Sequence, residues 1–342
     1  MKNSNEVRPK AVLVTGGAGY IGSHTACALS SEGYRVIIID DFSQRQKVDL
    51  PFASVIKADF ADRAILHQLF TAYEIEAVFH FAAFIEVGES VKRPALFYEN
   101  NVSKAAVLLN CMLEHKVQRF IFSSSCAVYG EPQYVPMDEK HPTAPVSPYG
   151  KTKLAVEFML QDYAQAYGLK YAALRYFNAA GAQWELGLGE QHTPETHLIP
   201  RLLDAIAENK QVQLYGDAYQ TKDGSCVRDY VHVQDLAQAH VRAYKYLVDQ
   251  KENLVLNVGT GRGHTVREVI RTVEHVCGVQ AEIAVLPPRA GDAPVLVADT
   301  ARMHETLDWK PQYSDLEAII ASAQAWQRLR KQKQKEIMQA DI

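Results

Sequence analysis

Tyr149 and Lys153 stand four residues apart in the stretch Ser147-Pro148-Tyr149-Gly150-Lys151-Thr152-Lys153. On a helix this spacing projects both side chains from one face. A free phenol, with a pKa of about 10, is a poor base near neutral pH, but an ammonium beside it favours the phenolate. Ser125 follows the apolar run Arg119 to Ser124, at the carboxyl edge of a buried strand, where open α/β sheets place ligands. Its hydroxyl can donate to, or relay a proton from, a substrate oxygen. The three residues therefore read as an acid/base set for taking a proton from a hydroxyl and returning it. A Y-x-x-x-K pair alone is common on exposed helix faces; its position after a strand-end serine and a glycine turn makes it specific.

That turn is Thr15-Gly16-Gly17-Ala18-Gly19-Tyr20-Ile21-Gly22, immediately after the apolar run Ala11 to Thr15. Gly16 and Gly19 allow a tight turn and a close backbone approach to a pyrophosphate, and Gly22 allows a helix to pack closely on the strand. The helix N-terminus supplies a positive dipole end. The second apolar run closes at Asp40-Asp41, about 20 residues on, where a carboxylate accepts from ribose hydroxyls and repels a 2′-phosphate. The expected cofactor is NAD rather than NADP. Asp59, closing the third run, lies where it can face the adenine.

The runs Ala11 to Thr15, Tyr34 to Asp40, Ser54 to Asp59, Glu76 to Ala82 and Arg119 to Ser124 alternate with helical stretches such as Ile21 to Ser31 and Pro94 to His115. Nearly continuous apolar strands separated by helices predict an α/β fold with a Rossmann-type, doubly wound parallel sheet. Ser147 as N-cap, Pro148 at the first helical position and Gly168 beyond the end bound the helix that carries Tyr149 and Lys153. A strand is expected at Lys170 to Phe177, then shorter strands at Gln211 to Tyr215, Leu254 to Val258 and Glu282 to Leu286. The expected organisation is an NAD-binding domain over 10–178, with parts of the later chain, and a smaller, more irregular α/β region over 179–330.

The 342 residues are 47% hydrophobic with a formal net charge of -4, enough for a sizeable core. They offer no basic stripe for nucleic acid and no polybasic segment for a membrane. The polar N-terminus leads into an apolar run too short for a signal peptide or span, so a cytoplasmic location is expected. Five cysteines without a CxxC pair or zinc spacing read as reduced packing thiols, and no metal is expected. The basic tail Arg328 to Lys335 reads as a solvated helix end.

The stretches VTGGAGYIGSH, VFHFAA with VGESV, ENNV, FSSSCAVYG, SPYGKTK, LRYFN, GE followed by PETHLIP, DGSCVRDYVHVQDLA, NVGTG and PRAGD give the chain from Lys10 to Trp326 its likeness to a known family. It resembles the extended short-chain dehydrogenase/reductases, and within them the UDP-glucose 4-epimerases. The resemblance implies that Ser125, Tyr149 and Lys153 are catalytic. It implies that Gly16, Gly19, Tyr20, Ile21, Gly22, Asp40, Asp59, Phe60, Phe81, Ala82, Ala83, Asn100, Lys153 and Phe177 line NAD. Asn178, His197, Leu198, Arg228, Arg289, Asp292 and Leu296, with Ser125 and Tyr149, would hold the UDP-sugar. Arg228 and Arg289 suit that role chemically, since a guanidinium fork binds a diphosphate in bidentate fashion. The implied reaction is inversion at carbon 4, with glucose and galactose as the first pair: Tyr149 removes the 4-hydroxyl proton, hydride passes to NAD, and the keto sugar takes it back on its opposite face. A homodimer through the helices Pro94 to His115 and Ser147 to Tyr167 is also implied.

The chain departs from some relatives at Ile85, where they carry lysine, and at His197, where they carry asparagine. Leu296 is intermediate between the bulky and small residues found at that sugar-pocket position. UDP-xylose/UDP-arabinose and the UDP-N-acetylhexosamines therefore stay open as substrates. Dehydration or decarboxylation would need an additional acid or base after the serine, and Cys126 and Ala127 provide neither. A non-catalytic dinucleotide sensor would have no use for Tyr149 and Lys153.

Overall fold

The computed structural model describes residues 8–44, 49–192, 194–250, 252–289 and 292–340. The apolar runs of the first half form β1 (Lys10–Thr15), β2 (Val36–Asp40), β3 (Ser54–Lys57), β4 (Glu74–His80), β5 (Arg119–Ser125) and β6 (Lys170–Tyr176). The later strands are β7 (Asn178–Ala180), β8 (Val212–Tyr215), β9 (Val227–His232), β10 (Leu254–Val258), β11 (Gly263–Thr265), β12 (Ile283–Leu286) and β13 (Val295–Leu296). The helices are α1 (Tyr20–Ser31), α2 (Arg63–Ala72), α3 (Val87–Lys92), α4 (Pro94–Tyr98), α5 (Lys104–Glu114) and α6 (Pro148–Tyr167). They continue with α7 (Leu198–Ala207), α8 (Val233–Asp249), α9 (Val266–Cys277), α10 (Ala301–Leu307) and α11 (Leu316–Ala340). The chain divides into two compact units, one of Met1–Val128, Pro145–Arg175 and His240–Leu256, the other of Tyr129–Ala144, Tyr176–Ala239 and Asn257–Ile342.

The first unit is built on a seven-stranded sheet in the order β10-β6-β5-β4-β1-β2-β3. β1 runs parallel to both β2 and β4, and the β2/β3 and β4/β5 pairs are parallel too. This is the Rossmann-type, doubly wound arrangement. Strand order reverses at β1 and β4, so the carboxyl ends of those strands flank the crevice in which such sheets bind ligands. Central strands covered on both faces must be apolar throughout, and Val12, Leu13 and Val14 are fully buried. Leu13, Ile37, Val78, Phe120, Phe122 and Leu160 belong to one core cluster. Each such side chain contributes about 1.5–3 kcal/mol by leaving water.

In the second unit β9 is the organising strand. Its first half pairs with antiparallel β11 and parallel β13, and its second half with parallel β7. The core of this unit includes Ile199, Leu202, Val269, Ile270, Ile319 and Ile320, contributed by α7, α9 and α11.

One expected helix differs. Pro94 to His115 is divided by a π-helical turn, Glu99–Ser103, of the kind that concentrates at functional sites. Asn101, inside that turn, is buried and donates to Phe84 O (3.0 Å) and Thr152 Oγ1 (3.2 Å). The basic tail continues α11, with residues 332–336 exposed. All five cysteines are free. Among the described residues no helix is long and apolar enough to cross a membrane.

Candidate active site

β1 delivers the chain into Gly16 at φ +68°, a left-handed conformation that suits glycine. A Cβ on Gly16 would lie 2.5 Å from Ala82 N, and one on Gly22 would lie 2.3 Å from Gly16 O. The turn, the start of α1 and the segment Phe81-Ala82 thus come together because these glycines carry no side chain. A Cβ on Gly19 would meet only Gly16 O, at 3.2 Å. Gly19 is the N-cap of α1, ahead of Tyr20 and Ile21, so the space before the helix N-terminus stays clear for a diphosphate. Asp40 is tied to the same turn: its carboxylate accepts from Ala18 N (3.0 Å) and Phe42 N (2.9 Å). This cradle fits NAD, with the glycine turn for the diphosphate and Asp40 for the ribose.

The other expected cofactor residues follow β3, β4 and β6 in the chain or fall in the π-helical turn. Asp59 accepts from Ala61 N (2.9 Å) and Lys104 Nζ (2.5 Å), so its carboxylate is anchored by its own loop and by α5. The Phe60 ring lies 5.1 Å from that of His80. Ala83 lies in the segment after β4, where the next residue, Phe84, donates its N–H to Asn101 Oδ1 (2.9 Å). Asn100 sits in the π-helical turn and donates to the same Asn101 oxygen (3.1 Å). Phe177 is buried just after β6, in the second unit.

Three consecutive serines close β5. Ser123 O accepts from Lys153 Nζ (2.8 Å), Ser124 Oγ donates to Glu157 Oε1 (2.5 Å), and Ser125 Oγ accepts from Ala127 N (3.2 Å). A hydroxyl that accepts from a backbone N–H keeps its own proton for donation. α6 begins as its sequence dictates: the Ser147 side chain accepts from Gly150 N, Pro148 holds the first position, and Gly168 ends the helix at φ +73°. Gly150 lets the helix start close on the β5 exit, since a Cβ there would lie 2.4 Å from Ala127 O. Tyr149 N donates to Ser90 Oγ (3.2 Å). Lys153 Nζ lies 5.8 Å from the centre of the Tyr149 ring.

Ser125, Tyr149 and Lys153 are all buried. Burial pulls the Lys153 ammonium down to about 7, and the Glu157 carboxylate opposes that pull. His80, which shares a hydrogen bond with Thr15 Oγ1 (2.7 Å), is pushed down to about 3 by burial and by the Lys153 charge. It stays neutral, so Lys153, near Tyr149, is the member of this pair that changes charge around neutral pH.

In the second unit, Arg228 and Leu296 are register partners of β9 and β13. Arg228 Nη1 donates to Val227 O (2.9 Å) and Ala293 O (2.8 Å), and Nη2 lies 3.5 Å from Asp292 Oδ1. Asn178 donates from its side chain to Asp229 O (2.9 Å). Arg228, Asp292, Leu296 and Asn178 are thereby gathered around β9. Arg289 is supported elsewhere, its guanidinium 3.8 Å from the centre of the Tyr215 ring. His197 is the N-cap residue of α7, with Leu198 the first residue of the helix. His197 Nδ1 lies 2.7 Å from Glu190 Oε1 and 3.0 Å from Glu195 Oε1. Burial opposes the charge on this imidazole, but the two carboxylates raise it to about 10.

Supporting residues that the sequence reading passed over are Ser90, Asn101, Glu157, Arg175 and Asp229. Glu157 was signalled by its position one turn beyond Lys153. Buried Asp229 accepts from Thr260 N (2.9 Å), Gly261 N (3.0 Å) and Ala298 N (3.2 Å), a role that only the folded chain reveals.

A Rossmann-type sheet with a glycine-rich dinucleotide cradle, and with a serine, tyrosine and lysine buried where α6 meets the end of β5, defines an enzyme of the dinucleotide-cofactor class. The chain belongs to the NAD dependent epimerase/dehydratase family, which matches residues 12–259. It is 46% identical over 333 residues to a UDP-glucose 4-epimerase of Rhizobium meliloti, covering 97% of this chain and 99% of the relative. The crystal structure of UDP-glucose 4-epimerase from Brucella ovis in complex with NAD superimposes with a TM-score of 0.89 at 46% identity, covering 92% of this chain and 97% of that one. A Stenotrophomonas maltophila UDP-glucose 4-epimerase, solved with bound NAD and formylated UDP-arabinopyranose, reaches a TM-score of 0.89 at 39% identity, covering 94% and 99%.

Proposed function

We propose that this chain is an NAD-dependent UDP-sugar 4-epimerase that interconverts UDP-glucose and UDP-galactose. The observation that carries the reading is the buried set of Ser125, Tyr149 and Lys153, in the same unit as the glycine cradle. The two solved structures named above, both UDP-glucose 4-epimerases with NAD bound, support it over nearly their whole length. When bound, NAD supplies reversible hydride uptake at carbon 4 of the sugar, so the centre can invert without net oxidation.

The chain's residues supply the rest. Tyr149, with Lys153 favouring its phenolate, takes the proton from the sugar 4-hydroxyl and later gives it back. Ser125 donates a hydrogen bond to that same oxygen, and the Ser123–Lys153 and Ser124–Glu157 bonds keep the set in register. Gly16, Gly19, Tyr20, Ile21 and Gly22 hold the cofactor diphosphate. Asp40, Asp59, Phe60, Phe81, Ala82, Ala83, Asn100, Lys153 and Phe177 complete that site. Asn178, His197, Leu198, Arg228, Arg289, Asp292 and Leu296 take the UDP portion and the sugar. In domain terms, 10–178 with parts of the later chain binds NAD, and 179–330 mainly binds the UDP-sugar.

The protein acts in the cytoplasm, in keeping with the absence, among the described residues, of a helix fit to span a membrane. It works as a homodimer through α6 and the helical stretch from Pro94 to Glu114, where Tyr98, Phe158 and Tyr167 are exposed. Sedimentation equilibrium showing a monomer at micromolar concentration would overturn the dimer. The central test is incubation of the purified protein with UDP-galactose and no added NAD, following the sugar anomeric signals by NMR. UDP-glucose appears if the reading is right; its absence both without and with added NAD overturns it.

A further inference from the structure

Glu190, His192, Glu195 and His197 place two imidazole nitrogens and two carboxylate oxygens within 4.8 Å of one another in the second unit. The individual separations are 3.5 Å for His192 Nδ1–Glu190 Oε1, 4.0 Å for His192 Nδ1–Glu195 Oε2, 2.7 Å for His197 Nδ1–Glu190 Oε1 and 3.0 Å for His197 Nδ1–Glu195 Oε1. Nitrogen and oxygen ligands sit about 2.0–2.2 Å from zinc, which places the corners of a tetrahedral site about 3.4 Å apart. The observed separations bracket that value.

Two atoms of the cluster are otherwise unexplained. Among the described residues, His192 Nδ1 and Glu195 Oε2 are buried and make no hydrogen bond. A proton on His197 Nδ1 satisfies Glu190 and the other oxygen of Glu195, but leaves this facing pair unsatisfied. A buried polar group without a partner costs about 1–3 kcal/mol. A cation at the centre of the cluster would meet all four groups together, with the 4.0 Å between His192 Nδ1 and Glu195 Oε2 closing by about half an ångström to the tetrahedral spacing.

We propose that Glu190, His192, Glu195 and His197 form a tetrahedral zinc(II) site. His192 and His197, each giving up the proton on its ligating nitrogen as the metal binds, suit zinc together with two carboxylates better than magnesium or calcium, which prefer all-oxygen shells with more ligands. The expectation of no metal rested on cysteine spacing, whereas these ligands fall within one eight-residue stretch, E-x-H-x-x-E-x-H. The site also has a structural consequence. Glu190 O accepts from Trp326 Nε1 (2.8 Å) of α11, and His197 is the N-cap of α7. Zinc would therefore fasten the loop between these two helices. His197 also belongs to the UDP-sugar set proposed above, whereas Glu190, His192 and Glu195 do not, so zinc uptake is read on those residues, apart from turnover.

The test uses the full chain, stripped with a chelator, incubated with zinc chloride and desalted. One equivalent of zinc by elemental analysis is expected, with a rise in Tm. H192A and E195Q should each weaken zinc binding at least about tenfold, measured against a chromophoric competitor. Among the described residues, His67, Cys111 and Glu114 form the other group of this kind, so H67A serves as the control and leaves uptake unchanged. Should a variant fail to fold, cobalt(II) loaded into the unaltered chain reports directly: a tetrahedral visible spectrum without a thiolate charge-transfer band supports the site. Zinc uptake below one equivalent, uptake unaffected by H192A and E195Q, or a thiolate band would overturn it.

Discussion

Lys153 and Glu157, one turn apart on α6, are fastened to consecutive residues of β5. Lys153 Nζ donates to Ser123 O (2.8 Å), and Glu157 Oε1 accepts from Ser124 Oγ (2.5 Å). Glu157 also accepts from Arg175 Nε (3.0 Å). The Lys153 side chain is therefore held to the strand that ends in Ser125, with a buried carboxylate one turn further along α6.

Burial lowers the Lys153 pKa to about 7 and Glu157 opposes that effect. Replacing Glu157 by Gln removes the opposing charge, so the ammonium is lost at lower pH. Because the ammonium favours the phenolate, the alkaline limb of the kcat/KM profile should move to lower pH by about one unit. Arg175 would lose its anionic partner inside the protein, at a cost of about 3–5 kcal/mol, and Tm should fall. A purely structural Glu157 would lower Tm and leave the limb in place.

Tyr149→Phe keeps the ring and removes the proton carrier. Loss of a positioned acid/base costs about 10²–10⁴-fold in rate, and UDP-galactose turnover followed by NMR should fall by that amount. The backbone bond from Tyr149 N to Ser90 Oγ does not involve the phenol, so the NAD released on denaturation should stay at its original amount. Unchanged turnover would remove Tyr149 from the chemistry.

Gly22→Ala opposes two effects. Alanine is a better helix former by about 1 kcal/mol, which favours α1. Its Cβ would, however, lie 2.3 Å from Gly16 O, backbone that cannot yield without reshaping the cradle. Overpacking of this kind costs about 1–3 kcal/mol, so the clash wins. The variant should retain at least about tenfold less NAD after gel filtration, equivalent to about 1.4 kcal/mol. Full NAD retention would show that the turn does not bear on the cofactor.

Legibility in the sequence followed the range of the interactions involved. β1 and β2 are readable because Val12–Val14 and Ile37–Ile39 are buried on both faces, which demands an apolar run. The limits of α6 are readable because Ser147 caps it through Gly150 N and Gly168 leaves it at φ +73°, both local events. β9 was missed because Val227-Arg228-Asp229-Tyr230 looks too polar for a central strand. Its Asp229 is satisfied by Thr260, Gly261 and Ala298, donors from distant parts of the chain. The π-helical turn was hidden for a related reason: Asn101 reaches Phe84 and Thr152, contacts that helical periodicity cannot register.

Arg228 gives the sharpest test of the nucleotide half. Its Nη1 is already spoken for by Val227 O and Ala293 O, and Nη2 faces Asp292 at 3.5 Å. The planar fork is thus oriented before any ligand arrives, which lowers the entropy lost when a diphosphate binds. Arg228→Lys keeps the charge but has a single ammonium that cannot reproduce both backbone bonds and still present a flat face. A group that binds ground and transition states alike affects KM and leaves kcat unchanged. The variant should therefore raise KM for UDP-galactose about tenfold or more while kcat stays within about twofold. A fall in kcat at constant KM would instead mean that Arg228 acts on the reacting sugar.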